Sequence, residues 1–246
     1  MHKLFRTKLL FEQFKIVRAL RLLIAEMALK WCDRDAIISY AQTGEDRIIR
    51  ALLAEHKGPY GEEKGFYVDV GCNHPTKFSN TFELYKRGWR GISIDANQAL
   101  IVQHQQIRPI DQSVYAVVSD TEKEQMFTYF KDNLVSSLSP EHIGKWAQKR
   151  EVAREESVNT ISLNRILTQK SAPKELDLLS IDVEGHDLEV LKSLCLETFR
   201  PTLIVIEMHD FQISRCEENP IYQHLIKRGY RMVGYVTMNG FFKREI

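Results

Sequence analysis

Cysteine is scarce in this chain: Cys32, Cys72, Cys195 and Cys216 are the four among 246 residues, and no two stand in a C-x-x-C pair. That scatter fits neither a zinc cluster nor a dense disulfide framework, and a reducing cytosol is the simpler compartment. Net charge is nearly absent as well. With 34 Lys+Arg against 33 Asp+Glu, no overall basic field argues for nucleic acid. No run approaches 18 uncharged apolar residues, so no transmembrane helix is expected, and charges interrupt every candidate secretory core. The phosphate-cradling signatures G-x-G-x-x-G and G-x-x-x-x-G-K-[ST] are both missing. What is present, 43% hydrophobic and 27% charged residues, is an ordinary globular mixture. It excludes a disordered acidic tail, a collagen-like fibre and a polytopic membrane protein, and the length suits one larger domain with or without an appendage.

The balanced total hides an uneven distribution. Residues 1–30 carry Lys3, Arg6, Lys8, Lys15, Arg18, Arg21 and Lys30 against Glu12 and Glu26, a net +5, which leaves the rest near −4. On a helical wheel Phe5, Leu9, Ile16, Leu20, Leu23, Ile24 and Met27 share one broad face, and Lys8, Glu12, Lys15, Arg18 and Glu26 lie opposite. Leu4, Phe11, Leu22 and Leu29 form a thinner second ridge. The segment 1–36 therefore reads as a basic amphipathic helix preceding a domain at 37–246. Such a helix docks on its own domain, pairs with a second copy in a homodimer, or rests peripherally on the anionic inner face of a membrane. Because every expected ligand residue begins at Gln42, residues 1–30 should be dispensable for folding.

Beyond residue 36, short apolar runs alternate with helical patterns, which predicts an α/β fold with a mostly parallel sheet covered on both faces. The predicted strands are Phe66–Val70, Gly91–Asp95, Val114–Val118, Leu178–Val183 and Leu203–Glu207, with helices at Ser79–Arg87 and Asp187–Leu194. Tyr230–Tyr235 and Gly240–Arg244, flanking Thr-Met-Asn-Gly, read as a closing antiparallel hairpin. The polar stretch 131–157 reads as a loop with one short helix.

Ligands of open α/β sheets bind beyond the carboxyl ends of the strands, and here each of those ends carries acid. The ends read Asp69-Val70-Gly71-Cys72-Asn73, Ile94-Asp95, Ser119-Asp120, Asp182-Val183-Glu184-Gly185-His186 and Glu207-Met208-His209-Asp210. A pyrophosphate would be repelled by Asp69 and has no glycine cradle. Carboxylates instead suit a ligand with a ribose, an amino group and a positive centre, and S-adenosylmethionine has all three. An NAD-dependent sugar dehydrogenase or epimerase shares the α/β pattern but needs the missing glycines. A catalytically inactive, membrane-recruited binding module is the non-enzymatic alternative.

Several runs, in order, resemble the FkbM-type methyltransferases: Tyr40-Ala41-Gln42-Thr43-Gly44-Glu45-Asp46, Phe66 through Asn73, Ser79-Asn80-Thr81, Gly88-Trp89-Arg90-Gly91-Ile92 and Leu179 through His186. The resemblance implies a Rossmann-like class I methyltransferase fold with a seven-stranded sheet ending in an antiparallel hairpin. It also implies O-methylation of a hydroxyl, most often on a sugar, glycolipid, surface polysaccharide or polyketide. Residues 1–36 lie outside it. Roles then follow by position. Asp69 and Gly71, with Asn73, should border the methionine part of the cofactor, Asp95 should hold the ribose hydroxyls, and Ser119 and Asp120 should face the adenine. Gln42 closes over the cofactor unless Thr43 simply caps a helix, and Asn80 is either a cap or a contact. Asp182, on the cofactor side, Glu184, His186, Glu207 and His209 should converge where the acceptor enters. A departing hydroxyl proton needs a base within hydrogen-bond reach. His209, oriented by Glu207 or Asp210, is favoured slightly over His186. No metal is required by this reading, although the same carboxylates and histidines offer oxygen-rich ligands for Mg²⁺ or Ca²⁺.

Overall fold

The computed structural model describes residues 10–57, 63–131 and 135–245. After a turn of helix at 10–13, the order is α1 (Ile16–Cys32), α2 (Glu45–Lys57), β1 (Phe66–Val70), α3 (Phe82–Lys86), β2 (Arg90–Asp95), α4 (Gln98–Ile107), β3 (Gln112–Tyr115) and β4 (Val117–Val118). It continues with β5 (Glu124–Phe130), α5 (Pro140–Ala147), β6 (Val152–Ile161), α6 (Leu163–Gln169), β7 (Glu175–Ile181), α7 (Asp187–Lys192) and β8 (Arg200–Glu207). A 3₁₀ turn at Ile213–Glu218 leads to α8 (Pro220–Ile226), β9 (Tyr230–Val236) and β10 (Asn239–Arg244). The main sheet has seven strands in the order β3-β2-β1-β7-β8-β10-β9, parallel except for the antiparallel pairings of β10. This is the predicted Rossmann-like α/β architecture with its closing hairpin.

Side chains alternate across the pleat, so each strand feeds both faces of the sheet. Val68, Val70, Ile92, Ile94, Leu179, Ile181, Ile204 and Ile206 pack under α6, α7 and α8 through Leu163, Ile166, Leu167, Val190, Leu191, Ile221 and Leu225. Tyr67, Leu178, Leu203, Val205 and Phe241 face the other way, against Ile49 and Leu53 of α2, Phe82 and Tyr85 of α3, and Leu10, Phe14 and Ala19. Residues from Leu10 onward are thus part of the layer that covers one side of the sheet. This packing argues against dispensability of residues 1–30 for folding. Leu10, Phe14 and Ala19 are at most 5% exposed. Gln13 accepts from the Tyr85 hydroxyl and from Arg90, and Lys86 donates to Glu26 at 2.6 Å.

The helix also differs from the continuous one the wheel assumes. It breaks at Phe14 and Lys15, where Phe14 drops into the core. Most of the broad apolar face points outward: Ile16, Leu20, Ile24 and Met27 are exposed, joined by Val17 and Trp31, while Leu23 of that face packs inward with Ala19, Leu22 and Glu26. Phe5 and Leu9 lie outside the described residues.

A second correction concerns 131–157. It holds α5, capped by Ser139 and opened by Pro140, but from Val152 it becomes the long strand β6. β6 pairs antiparallel with β5 and parallel with β4 in a separate three-stranded sheet. Most of β6 is exposed on both faces, so it carries no apolar alternation by which a strand is recognised. The strand predicted as Val114–Val118 is divided at Ala116, where Val117 and Val118 leave the main sheet to pair with Thr160 and Ile161.

Candidate active site

The carboxyl ends of β1, β2, β7 and β8 open into one cavity of about 370 Å³, within the size of small-ligand sites. Its wall includes Gln42, Gly71, Asn73, Asp95, Asp182, Glu184, His186, Glu207 and His209. Nine of the expected residues are therefore brought together.

Gly71 is required by close approach. Its φ is +78°, and a Cβ there would lie 1.7 Å from the Asp182 carbonyl oxygen. The backbone N–H groups of Gly71 and Cys72 donate to the Ile94 carbonyl, tying β1 to β2 where both strands end. Asp95 fixes the same turn. Its Oδ2 accepts from Asn73 N at 2.8 Å and its Oδ1 from Asn97 N at 2.7 Å. Burial pushes its carboxyl up to about 6, against the lowering effect of those two bonds.

Beyond β7 the chain turns through Glu184 and Gly185, both with positive φ (58° and 86°). Asp187 holds this turn by accepting from Val183 N and Gly185 N, each at 3.0 Å. Left-handed backbone at a non-glycine residue is costly and gathers at functional sites. Here it sets Glu184 beside the cavity. Burial, followed by the neighbouring Glu207 and Glu184 carboxylates, raises the Asp182 carboxyl well above its usual range. Burial and then Glu207 push Asp187 up to about 8. Carboxyl groups crowd this end of the cavity, and the crowding favours the protonated forms of Asp182 and Asp187.

The two histidines differ. His186 precedes α7, with Nε2 3.0 Å from Ser119 Oγ, while Nδ1 stands 3.7 Å from Glu189, beyond hydrogen-bond reach. Burial lowers its pKa. His209 has Nε2 2.9 Å from Glu207 Oε2, and Glu207 raises its pKa against the lowering effect of burial. The pair is close but poorly aligned, and neither atom completes a hydrogen bond.

Four expected residues do not form the cavity wall. Asp69 sits on the opposite side of the pleat from Val70, accepting from Thr81 Oγ1 at 2.6 Å, and Arg108 donates to the same hydroxyl at 2.8 Å. Asn80 donates to Ser180 Oγ. Ser119 and Asp120 are turned aside because β4 leaves the main sheet, and Ala96, Val117, Val118 and Phe127 line the cavity there instead. Residues that the sequence reading missed also contribute: Thr43 and Glu45 before and at the start of α2, Tyr129 on β5, Lys145 and Trp146 on α5, and Thr237–Asn239 in the hairpin turn. Two of these groups had a signal: Thr43 and Glu45 lie in the Tyr40–Asp46 run, and the hairpin turn has its Thr-Met-Asn-Gly. Thr43 does bond Glu45, through its backbone N–H and its hydroxyl.

Residues 69–232 match the methyltransferase FkbM domain. The chain belongs to the FkbM methyltransferase family. The matched span runs from Asp69 at the end of β1 into β9, so it contains most of the cavity's polar wall. The protein is accordingly a methyltransferase. No curated protein matches the chain. Gln42 and α1 lie ahead of the matched span.

Proposed function

We propose that this FkbM-family protein is an S-adenosylmethionine-dependent O-methyltransferase acting on a hydroxyl of a sugar, glycolipid or surface polysaccharide. The observation that carries this reading is that one cavity holds Asp95 at the end of β2 and the Glu207–His209 pair at the end of β8. Asp95, whose two oxygens also accept from Asn73 N and Asn97 N, takes the ribose hydroxyls in this reading. Gly71, Asn73, Gln42 and Asp182 surround the methionine part, and the apolar slot of Ala96, Val117, Val118 and Phe127 takes the adenine. The acceptor enters on the side of Tyr129 and Trp146, whose rings supply flat faces beside carboxylates that receive several hydroxyls.

The reaction asks mainly for alignment, because the sulfonium is already activated. The acceptor oxygen forms a bond to the methyl carbon as the sulfur–methyl bond breaks, leaving a neutral thioether. The hydroxyl proton passes to the Glu207–His209 pair. His209 takes this role rather than His186, because Glu207 raises the basicity of His209, whereas burial lowers that of His186 and its Nε2 is held by Ser119.

Calorimetry with S-adenosylmethionine, S-adenosylhomocysteine and NAD tests the reading, and tighter binding of NAD would refute it. Asp95→Ala should weaken S-adenosylhomocysteine by about 1.5–3 kcal/mol, roughly tenfold to a hundredfold. The carboxylate is the form that accepts from ribose. Affinity of the unmodified protein should therefore fall as pH drops through about 6, the value to which burial pushes Asp95. Asp95→Ala should show a flat profile over the same window. Equal affinity for the variant, or a flat profile for the parent, removes Asp95 from the role.

We also propose that α1 brings the enzyme to an anionic membrane surface, where a glycolipid acceptor would be found. Among the described residues no helix is long and apolar enough to cross a membrane. The outward stripe Ile16, Leu20, Ile24, Met27 and Trp31 is instead bordered by Arg21 on one edge and Lys30 on the other, the pattern of a helix lying in the interface. Each basic residue near such a surface contributes about 1 kcal/mol. Full-length protein should float with anionic vesicles and release at high salt, and Leu20→Glu with Ile24→Glu should abolish flotation without changing cofactor affinity. A protein that ignores vesicles but is a dimer dissociated by the same substitutions would make the stripe an assembly surface instead.

A further inference from the structure

α5 contributes a histidine that the reaction described above does not use. His142 is 5% exposed, and its Nε2 is buried with no hydrogen-bond partner. A buried imidazole nitrogen left without a bond is costly and asks for a ligand. It faces the active-site end of the sheet. Nε2 stands 3.4 Å from Glu184 Oε2, and the His142 and His209 rings are 5.6 Å apart between centroids. One ligand atom from each of His142, Glu184 and His209 lies within 4.8 Å of the others. The His209 Nε2 atom, like that of His142, completes no hydrogen bond.

We propose that His142 Nε2, the Glu184 carboxylate and a ring nitrogen of His209 bind one divalent transition-metal ion. Ligands about 2.1 Å from a tetrahedral ion stand about 3.4 Å apart, which is the separation of His142 from Glu184. His209 needs to close by less than about 1.5 Å, within the reach of a side-chain rotation. Two imidazoles and one carboxylate favour Zn²⁺, Co²⁺ or Mn²⁺ over Mg²⁺ or Ca²⁺, which take oxygen. The His142 ring also bonds the Val135 backbone, the outer contact that fixes the orientation of a ligating histidine. Lys145, one turn along α5, opposes a cation, and Glu207 beside His209 offsets it.

Three protein ligands leave a coordination position open, as in catalytic rather than structural metal sites. On the methyltransferase reading, on which this role rests, that position receives the acceptor hydroxyl and acidifies it, and Glu207 takes the proton that His209 would otherwise accept.

Metal binding is measured without acceptor or cofactor, so it stands apart from that reading. Full-length protein is titrated with Co²⁺ while its visible absorption is followed, and with Zn²⁺ in competition with a chromophoric chelator. One ion per chain is expected. Removing a ligand should weaken it at least as much as loss of an outer-shell partner, about 10–100-fold, in His142→Ala and His209→Ala. Glu184→Gln, at a partly exposed side chain, keeps the test valid if His142→Ala does not fold. Absence of stoichiometric binding overturns the site. So does Co²⁺ binding with a thiolate charge-transfer band, which would place the ion on a cysteine, or affinity unchanged in all three variants. S-adenosylhomocysteine affinity is measured on the same preparations. A protein that binds metal but no cofactor sinks the methyltransferase mechanism and leaves this site standing.

Discussion

His209→Ala is expected to lower kcat by about 10²–10⁴ with a hydroxyl acceptor at saturating S-adenosylmethionine, the usual cost of removing a positioned proton acceptor. The affinity for S-adenosylhomocysteine should not change, because Asp95 and the Gly71 turn, to which the proposal gives the cofactor, lie at the ends of β2 and β1 and not at that of β8. Glu207→Gln should act in the same direction, since Glu207 raises the basicity of His209 and is itself only 4% exposed. His186→Ala should have the smaller effect, as its Nε2 is spent on Ser119. A large loss in His186→Ala with little in His209→Ala would reverse the assignment. Loss of cofactor affinity in His209→Ala would show instead that the histidine shapes the cavity rather than the chemistry.

Much of this site is legible in the chain because the strands that deliver it are buried on both faces. Val68, Ile92, Leu179 and Ile204 belong to continuous apolar runs, and the first polar residues after such a run necessarily emerge at the strand's end. Asp95, Asp182 and Glu207 are found this way. The same logic fails where the pleat or the topology intervenes. Asp69 is still within β1, so its side chain turns to Thr81 and not past the strand end. Ser119 follows a strand that has switched sheets, a change set by the pairing of Val117 with Thr160, far along the chain. His142, Lys145 and Trp146 come from a helix inside a polar stretch, where no periodicity assigns a face to the cavity. Position there is decided by tertiary packing, against which a local pattern is a weak guide.

The amphipathic N-terminus shows the same limit with opposite consequences for stability. The wheel separates an apolar face from a polar one but does not say which side meets the domain. It also averages over the break at Lys15, where Phe14 leaves the helix and enters the core. Phe14 meets Phe82 edge-on at 6.0 Å and Tyr85 at 5.5 Å, on the sheet face that α2 and α3 also cover. Phe14→Ala should therefore cost about 3–5 kcal/mol, the range for deleting a buried aromatic ring. Against a total stability of about 5–15 kcal/mol, that is a large fraction. Leu20→Ala, on the outward stripe, should stay within about 0.5 kcal/mol. Denaturant midpoints of the two variants, measured at matched slopes, decide the matter. Removal of residues 1–30 should go further than Phe14→Ala, since it also strips Leu10 and Ala19 from the same cluster and Glu26 from Lys86. The shortened chain should bind apolar dyes and aggregate, with Phe82, Tyr85 and Trp89 uncovered. If Phe14→Ala and Leu20→Ala instead lose equal, small amounts and the shortened chain unfolds cooperatively at the parent's midpoint, the N-terminal residues do not close the core.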